Sequence, residues 1–216
     1  MSQQADKAVV IYHDNCVDGF ASAWAFHALK EKDYSAGVTY VPMSYGQVPD
    51  WSLLEKHDHC YILDFSFPRD LLLQVSYLFK TTTILDHHKT AQEALSNWPD
   101  KPANLEIVFD MNRSGAGITW DYFGGPKSER DYLIAYVEDR DLWRFNLKYS
   151  KPINARIALA QKTFKSYSEV DWDIEKNTDS VIDIGEALSQ QHQQFCEQMT
   201  EEAREITIYE SISSQE

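Results

Sequence analysis

The stretch Thr81-Thr82-Thr83-Ile84-Leu85-Asp86-His87-His88 decides the architecture. A β-branched and aliphatic run reads as a buried strand, and it passes without a turn residue into one aspartate and two histidines. The same arrangement occurs twice upstream. Cys60-Tyr61-Ile62-Leu63 runs into Asp64, and Ala8-Val9-Val10-Ile11-Tyr12 runs into His13, with Asp14, Cys16 and Asp18 close behind. Between these strands lie helical patterns. One opens at Gly19 and uses Phe20, Ala23, Trp24 and Phe26; another follows Pro68 and uses Leu71, Leu72, Val75 and Leu78. Proline is harmless in a first turn, where its missing N–H has no partner to lose. Residues 38–41 and 105–109 read as further strands, the former ended by Pro42, and 51–55 as a short helix. A helix begins near Ser114, carries Ile118, Trp120 and Tyr122, and stops at Gly124-Gly125-Pro126; residues 128–138 form the next. Apolar strands alternating with helices predict an α/β fold, a mostly parallel sheet with helices on both faces.

After Trp143 the character changes. A short helix over 153–159 precedes a polar stretch, 166–180, then one long helix from 181 to about 202 and a strand-like run at 206–209. The expected organisation is an α/β domain over 1–150, followed by a small, mainly helical extension over 151–216. Charge divides the same way. The chain of 216 residues has a formal net charge of −14, and residues 166–216 carry thirteen carboxylates against two basic groups. That balance excludes a long double-stranded nucleic-acid track, which needs a contiguous basic face. No run approaches the length of a membrane span, and no signal peptide is evident. Three scattered cysteines suit a reducing compartment, so the expected location is the cytoplasm.

The chemistry gathers where strands end. In an open α/β sheet, ligands bind outside the carboxyl ends of the strands. Three successive strands there deliver His13, Asp14, Cys16 and Asp18, then Asp64, then Asp86, His87 and His88. One aspartate after a strand would be an ordinary turn residue, but three groups with adjacent histidines form a metal-competent edge. Crowded carboxylates repel unless a cation compensates them, and a shared carboxylate can bridge two ions about 3.5–4 Å apart. Asp64, alone at its strand end, is the expected bridge. Mixed histidine and carboxylate ligation favours manganese, zinc or iron(II) over calcium.

These strings resemble the DHH family of phosphoesterases. The resemblance rests on Asp86-His87-His88, on Tyr61-Ile62-Leu63-Asp64, on the opening YHDNCVDG of residues 12–19, and on VEDRDLW of 137–143. RSGAG of 113–117 is similar to the family's helix start between its third and fourth motifs, and the order is kept across 8–145. The resemblance implies a parallel α/β domain with two divalent metal ions, manganese first and zinc or iron as alternatives. It implies His13, Asp18, Asp64, His87 and Asp139 as metal ligands, with His88 facing a substrate phosphate and Asp86 orienting an imidazole. Asp141 is the alternative to Asp139. Cys16 stands where the family has a carboxylate; it is either a ligand, which would favour softer ions, or a buried thiol beside the site.

Arg113, at a helix start, is expected either as a phosphate contact or as part of a structural ion pair, with Arg140, Arg144 and Lys89 nearby in sequence. His57 and His59 precede their strand and belong at the opposite sheet edge; His27 and His192 lack paired ligands. The expected activity is hydrolysis of a phosphate ester, most simply a phosphodiesterase acting on a small nucleotide or short oligonucleotide. Two alternatives stay open: a manganese pyrophosphatase or polyphosphatase, and a non-catalytic nucleotide-binding or interaction protein. The glycine-rich run near a histidine that usually marks the family's C-terminal substrate domain does not occur in residues 144–216.

Overall fold

A computed structural model describes residues 5–125 and 132–202. The five strands expected between residues 8 and 109 form, and they build one sheet. In chain order they are β1 (Ala8–His13), β2 (Val38–Met43), β3 (His59–Leu63), β4 (Thr81–Asp86) and β5 (Leu105–Phe109). Their spatial order is β2-β1-β3-β4-β5 and every pairing is parallel. The fold is therefore α/β. The chain reverses its winding direction between β1 and β3, and the crevice at such a switch point is where open sheets place ligands.

Side chains alternate across the sheet as a two-residue period requires. Val9, Ile11, Cys60, Ile62 and Ile84 face one layer of helices, α2 (Trp51–Leu54), α3 (Arg69–Ser76) and α4 (Lys89–Leu95), which contribute Leu54, Leu72, Val75 and Leu95. Ala8, Val10, Tyr61, Leu63 and Leu85 face the other, where α1 (Val17–Leu29) and α5 (Gly115–Tyr122) supply Phe26 and Ile118. β1, β3 and β4 are buried on both faces, which explains their unbroken apolar character.

The remaining described helices are α6 (Tyr132–Asp141), α7 (Ser150–Leu159), α8 (Phe164–Lys176) and α9 (Thr178–Glu202). They stack outside α1. Phe20, Trp24, Leu133 and Val137 share one continuous cluster with Ile153, Tyr167, Val170, Ile174 and Val181, so residues on both sides of position 150 bury a common core. α9 approaches α7 at Gly185, where a Cβ would lie 1.9 Å from the Pro152 carbonyl oxygen. No helix among the described residues is long and apolar enough to cross a membrane.

Several local expectations change. Pro42 does not end β2 but pairs in register with Tyr12. β2 is an edge strand, so the missing N–H costs no ladder bond on its outer side. A short helix, α4, stands between β4 and β5 where none was expected. The polar stretch at 166–180 is mostly helical: α8 is capped by the Thr163 side chain, which accepts from Ser166 N, and buries only Tyr167, Val170 and Ile174. Those three sit one and two turns apart, a stripe too narrow to stand out among acids and serines. The helix expected over 128–138 runs from 132 to 141 within the described residues, and the strand-like run at 206–209 lies outside them.

Candidate metal centre

The strand register brings the predicted edge together. Tyr12 pairs with Leu63 and Leu63 with Leu85, so His13, Asp64 and Asp86 lie level at the carboxyl ends of β1, β3 and β4. Asp64 is the centre. Its backbone is left-handed, with φ 52°, a conformation that aspartate tolerates better than most residues. Its side chain is 1% exposed, yet neither carboxylate oxygen has a hydrogen-bond partner, and neither does Nδ1 of His13. Oδ2 lies 3.5 Å from His13 Nδ1, and Oδ1 lies 3.2 Å from His87 Nε2. A buried, unpartnered carboxylate between two imidazoles is costly unless something else satisfies it.

Two groups of three metal-capable side chains gather here, and Asp64 belongs to one of them. His13, Asp64 and His88 present atoms within 4.8 Å of one another, and so do Asp18, His87 and Asp141. His87 Nε2 stands 3.7 Å from Asp18 Oδ2 and 3.6 Å from Asp141 Oδ2, so Asp64 reaches from one group to the other.

The supports of these residues are themselves well defined. Asp18, at the start of α1, is 1% exposed, and its carboxylate accepts from the N–H groups of Gly115 at 2.6 Å and Ala116 at 3.0 Å. The free amides of the α5 N-terminus are a natural anion seat, and here the anion is a side chain of the protein itself. Asp86 is fully buried and acts as an organiser. Its Oδ1 accepts from His88 Nδ1 at 2.6 Å and from His87 N at 2.7 Å, while Ser66 Oγ donates to Oδ2 at 2.6 Å. That bond commits His88 Nδ1 and leaves Nε2 as the ring's remaining nitrogen.

Electrostatics follow the crowding. The Asp64 and Cys16 side chains raise the His13 imidazole to about 10. Burial works against the charged form of His87, but Asp64 and its neighbours raise it to about 9. Burial also opposes the Asp64 charge, yet His13 and His87 hold its carboxyl down at about 2. Asp18 is pushed well above the carboxylate range by burial and by Asp64 and Asp141, and burial raises Asp141 as well.

Three expected site residues lie outside both groups. Asp139 joins neither group; its carboxylate accepts from the N–H groups of Asn146 at 2.9 Å and Leu147 at 3.2 Å, tying the loop after α6 back onto that helix. Asp141 takes the place expected for it, because residues two apart on a helix face nearly opposite sides. Arg113 is not aimed at the cluster either. Its Nε donates to Glu138 at 2.8 Å and its Nη1 pairs with Asp121, joining α5 to α6. Cys16 sits at the N-terminal edge of α1 beside His13, outside both groups, and lines a cavity of about 310 Å³ with Asp18, Arg140 and Asp141.

The other basic groups are placed outside the cluster. Arg144 donates to the Asn112 carbonyl, Lys89 pairs with Glu93, and Arg140 is exposed on the cavity rim. His57 bonds Thr39 and His59 bonds Asp6 and Thr81 at the far edge of the sheet. His27 stacks on Phe164 and His192 is exposed on α9. One residue had no sequence signal at all. Tyr45, half exposed in the loop after β2, sets its ring edge-on to His13 at 5.3 Å and to His88 at 5.9 Å, forming a wall of the site.

No protein-family profile matches the chain. It is similar to an uncharacterized protein of Acanthamoeba polyphaga mimivirus, 36% identical over 148 residues. The match covers 64% of this chain and spans about a third (34%) of the viral protein.

Proposed function

We propose that the protein is a metal-dependent phosphoesterase with a two-ion centre of the kind found in the DHH family, acting on a small nucleotide or short oligonucleotide. The observation that carries this reading is Asp64: a buried carboxylate with both oxygens unpartnered, one directed at His13 and the other at His87. The donor set fits two divalent cations. His13 and Asp64 would hold one, joined by His88, which was expected to face the phosphate instead, and Asp18, His87 and Asp141 would hold the other, with Asp64 Oδ1 3.2 Å from His87 Nε2. Borderline imidazole and hard carboxylate donors favour manganese, then zinc or iron(II).

Ions so held supply Lewis-acid chemistry: water activation near neutral pH and compensation of charge at a phosphoryl group. The chain's own residues supply the rest. Gly115 and Ala116 fix Asp18, and Asp86 fixes the His88 ring, so the cluster is preorganised. Tyr45 shields His13 and His88 on one side. The three cysteines are unpaired and Cys60 is buried, in keeping with a reducing compartment such as the cytoplasm. The test is a screen of purified protein against linear and cyclic dinucleotides, short RNA and DNA, and pyrophosphate, with Mn, Zn and Mg in turn, alongside bound-metal analysis. Turnover of a phosphodiester with two bound ions is the expected result. Hydrolysis of pyrophosphate alone would move the protein to the pyrophosphatase alternative, and no bound metal would overturn the reading.

A further inference from the structure

The loop that follows Asp141 is built in an unusual way. Trp143, Phe145 and Tyr149 all have left-handed backbones, with φ of 55°, 49° and 60°. Large aromatic residues rarely adopt this conformation, and where they do the surroundings must enforce it. Here the first part of the loop is tied to α6: Asp139 accepts from Asn146 N and Leu147 N, while Trp143 N and Arg144 N donate to the carbonyls of Arg140 and Asp139 at 2.9 Å. The effect is to hold the Trp143 ring 79% exposed and edge-on to Phe145 at 5.1 Å between centroids.

The ring borders two adjoining cavities. One, of about 310 Å³, reaches Asp18 and Asp141 of the metal-capable cluster. The other, of about 480 Å³, runs outward over Phe145, Lys151 and Ala155. Arg140, Trp143 and Asn154 line both, so a single groove leads from the cluster to the aromatic pair. Its rim is basic: Arg140 stands at the junction, and the Lys151 ammonium lies 5.7 Å from the Phe145 ring centroid. In a chain with a net charge of −14, two cations beside an exposed tryptophan form a local seat for an anionic, flat-ringed ligand.

We infer that this groove is a stacking subsite for the nucleobase of a nucleotide whose phosphate lies at the cluster of His13, Asp64 and His87. The position of the phosphate rests on the phosphoesterase reading; the ring platform itself does not. Trp143 is the specificity-determining residue, because any base offers a π-face and stacking tolerates all four. Inorganic phosphate and pyrophosphate have no ring to offer, so the subsite separates nucleotides from those smaller anions.

Binding to the full chain tests this without relying on turnover. Calorimetry with Mn²⁺ present would compare adenosine monophosphate, cytidine monophosphate and inorganic phosphate on the wild type, Trp143→Ala and Trp143→Phe. The wild type should bind both nucleotides at least about tenfold more tightly than phosphate, as expected when one base stacks on an aromatic ring. Trp143→Ala should remove most of that advantage and leave phosphate affinity and manganese stoichiometry unchanged; Trp143→Phe should restore much of it. Equal affinity of the wild type for nucleotide and phosphate would overturn the subsite, as would an advantage that survives Trp143→Ala. If manganese does not bind and no ester is hydrolysed, yet nucleotide affinity still depends on Trp143, the phosphoesterase reading fails and the subsite stands. Hydrolysis indifferent to Trp143 with equal ligand affinities leaves the enzyme and removes the subsite.

Discussion

Gly115 sits so close to Asp64 that a Cβ there would lie 2.5 Å from the aspartate's own Cβ, while its N–H donates to Asp18 at 2.6 Å. One residue thus spaces the central carboxylate and anchors a second. Gly115→Ala should cost about 1–3 kcal/mol, because the clash is with a short, buried side chain that cannot swing away. It should also weaken metal binding. Chemical denaturation of the metal-free protein, with manganese titration alongside, measures both; unchanged values for each would refute the assigned role.

Asp64→Asn keeps the shape and removes the charge that faces both halves of the cluster. Loss of an outer partner of a metal ligand already costs 10- to 100-fold in affinity, so loss of the shared carboxylate should exceed about 100-fold and abolish turnover with it. Bound metal is counted by inductively coupled plasma analysis. Two ions retained in the variant would remove Asp64 from the bridging position.

Asp139 and Asp141 should fail in different ways. Asp141→Asn is expected to lower metal occupancy with little loss of stability. Asp139→Asn weakens the acceptor for two loop amides, and should cost about 1–2 kcal/mol while manganese stoichiometry holds. The pair of variants is decided by thermal melts and metal counts together; the reverse pattern would return Asp139 to the ligand set.

Arg113→Ala takes a cation away from Asp121 and Glu138 at the contact between α5 and α6. A fully buried pair broken this way costs 3–5 kcal/mol, and with Arg113 about 20% exposed a smaller loss of roughly 2 kcal/mol is expected. KM should change little. A large rise in KM with stability intact would make Arg113 a substrate contact after all.

The metal-free protein should lose stability as pH rises. His13 and His87 have raised pKa values, so their contribution is complete below their ordinary value of 6.5 and disappears as pH passes about 9 to 10. Asp18 and Asp141 are raised above 3.8, and ionising them in the fold works in the same direction. Asp64, held at about 2, contributes above 3.8 and loses its effect only as pH falls toward 2. Metal binding competes with these protons, so manganese affinity should rise over the same interval. Melting curves from pH 6 to 9 with chelator, and again with manganese, should therefore diverge. Parallel curves would contradict the cluster's electrostatics.

The strand ends were legible because each apolar run stops at a metal-capable side chain. His13, Asp64 and His87 needed only the rule that parallel strands deliver their carboxyl ends to one edge. The choice between Asp139 and Asp141 was not, since a sequence fixes the spacing of two helical residues but not which side of the helix meets the sheet. Arg113 was open between two roles for a related reason. A guanidinium at a helix start looks the same whether it awaits a phosphate or joins two carboxylates supplied from positions 121 and 138. Tyr45 had no signal, because a loop tyrosine becomes a wall only when the fold bends it over β1 and β4.

The bond between Asp18 and the amides of Gly115 and Ala116 spans 97 and 98 residues of chain. In a growing or refolding polypeptide these groups meet only after the central strands have paired and α5 has docked, since long-range contacts form late. Until then the acidic side chains remain apart and solvated, and stray cations find no chelating pocket. If the cluster holds ions as proposed, ion capture would thereby become a readout of folding: a chain that binds manganese stoichiometrically would already have joined α1 to α5.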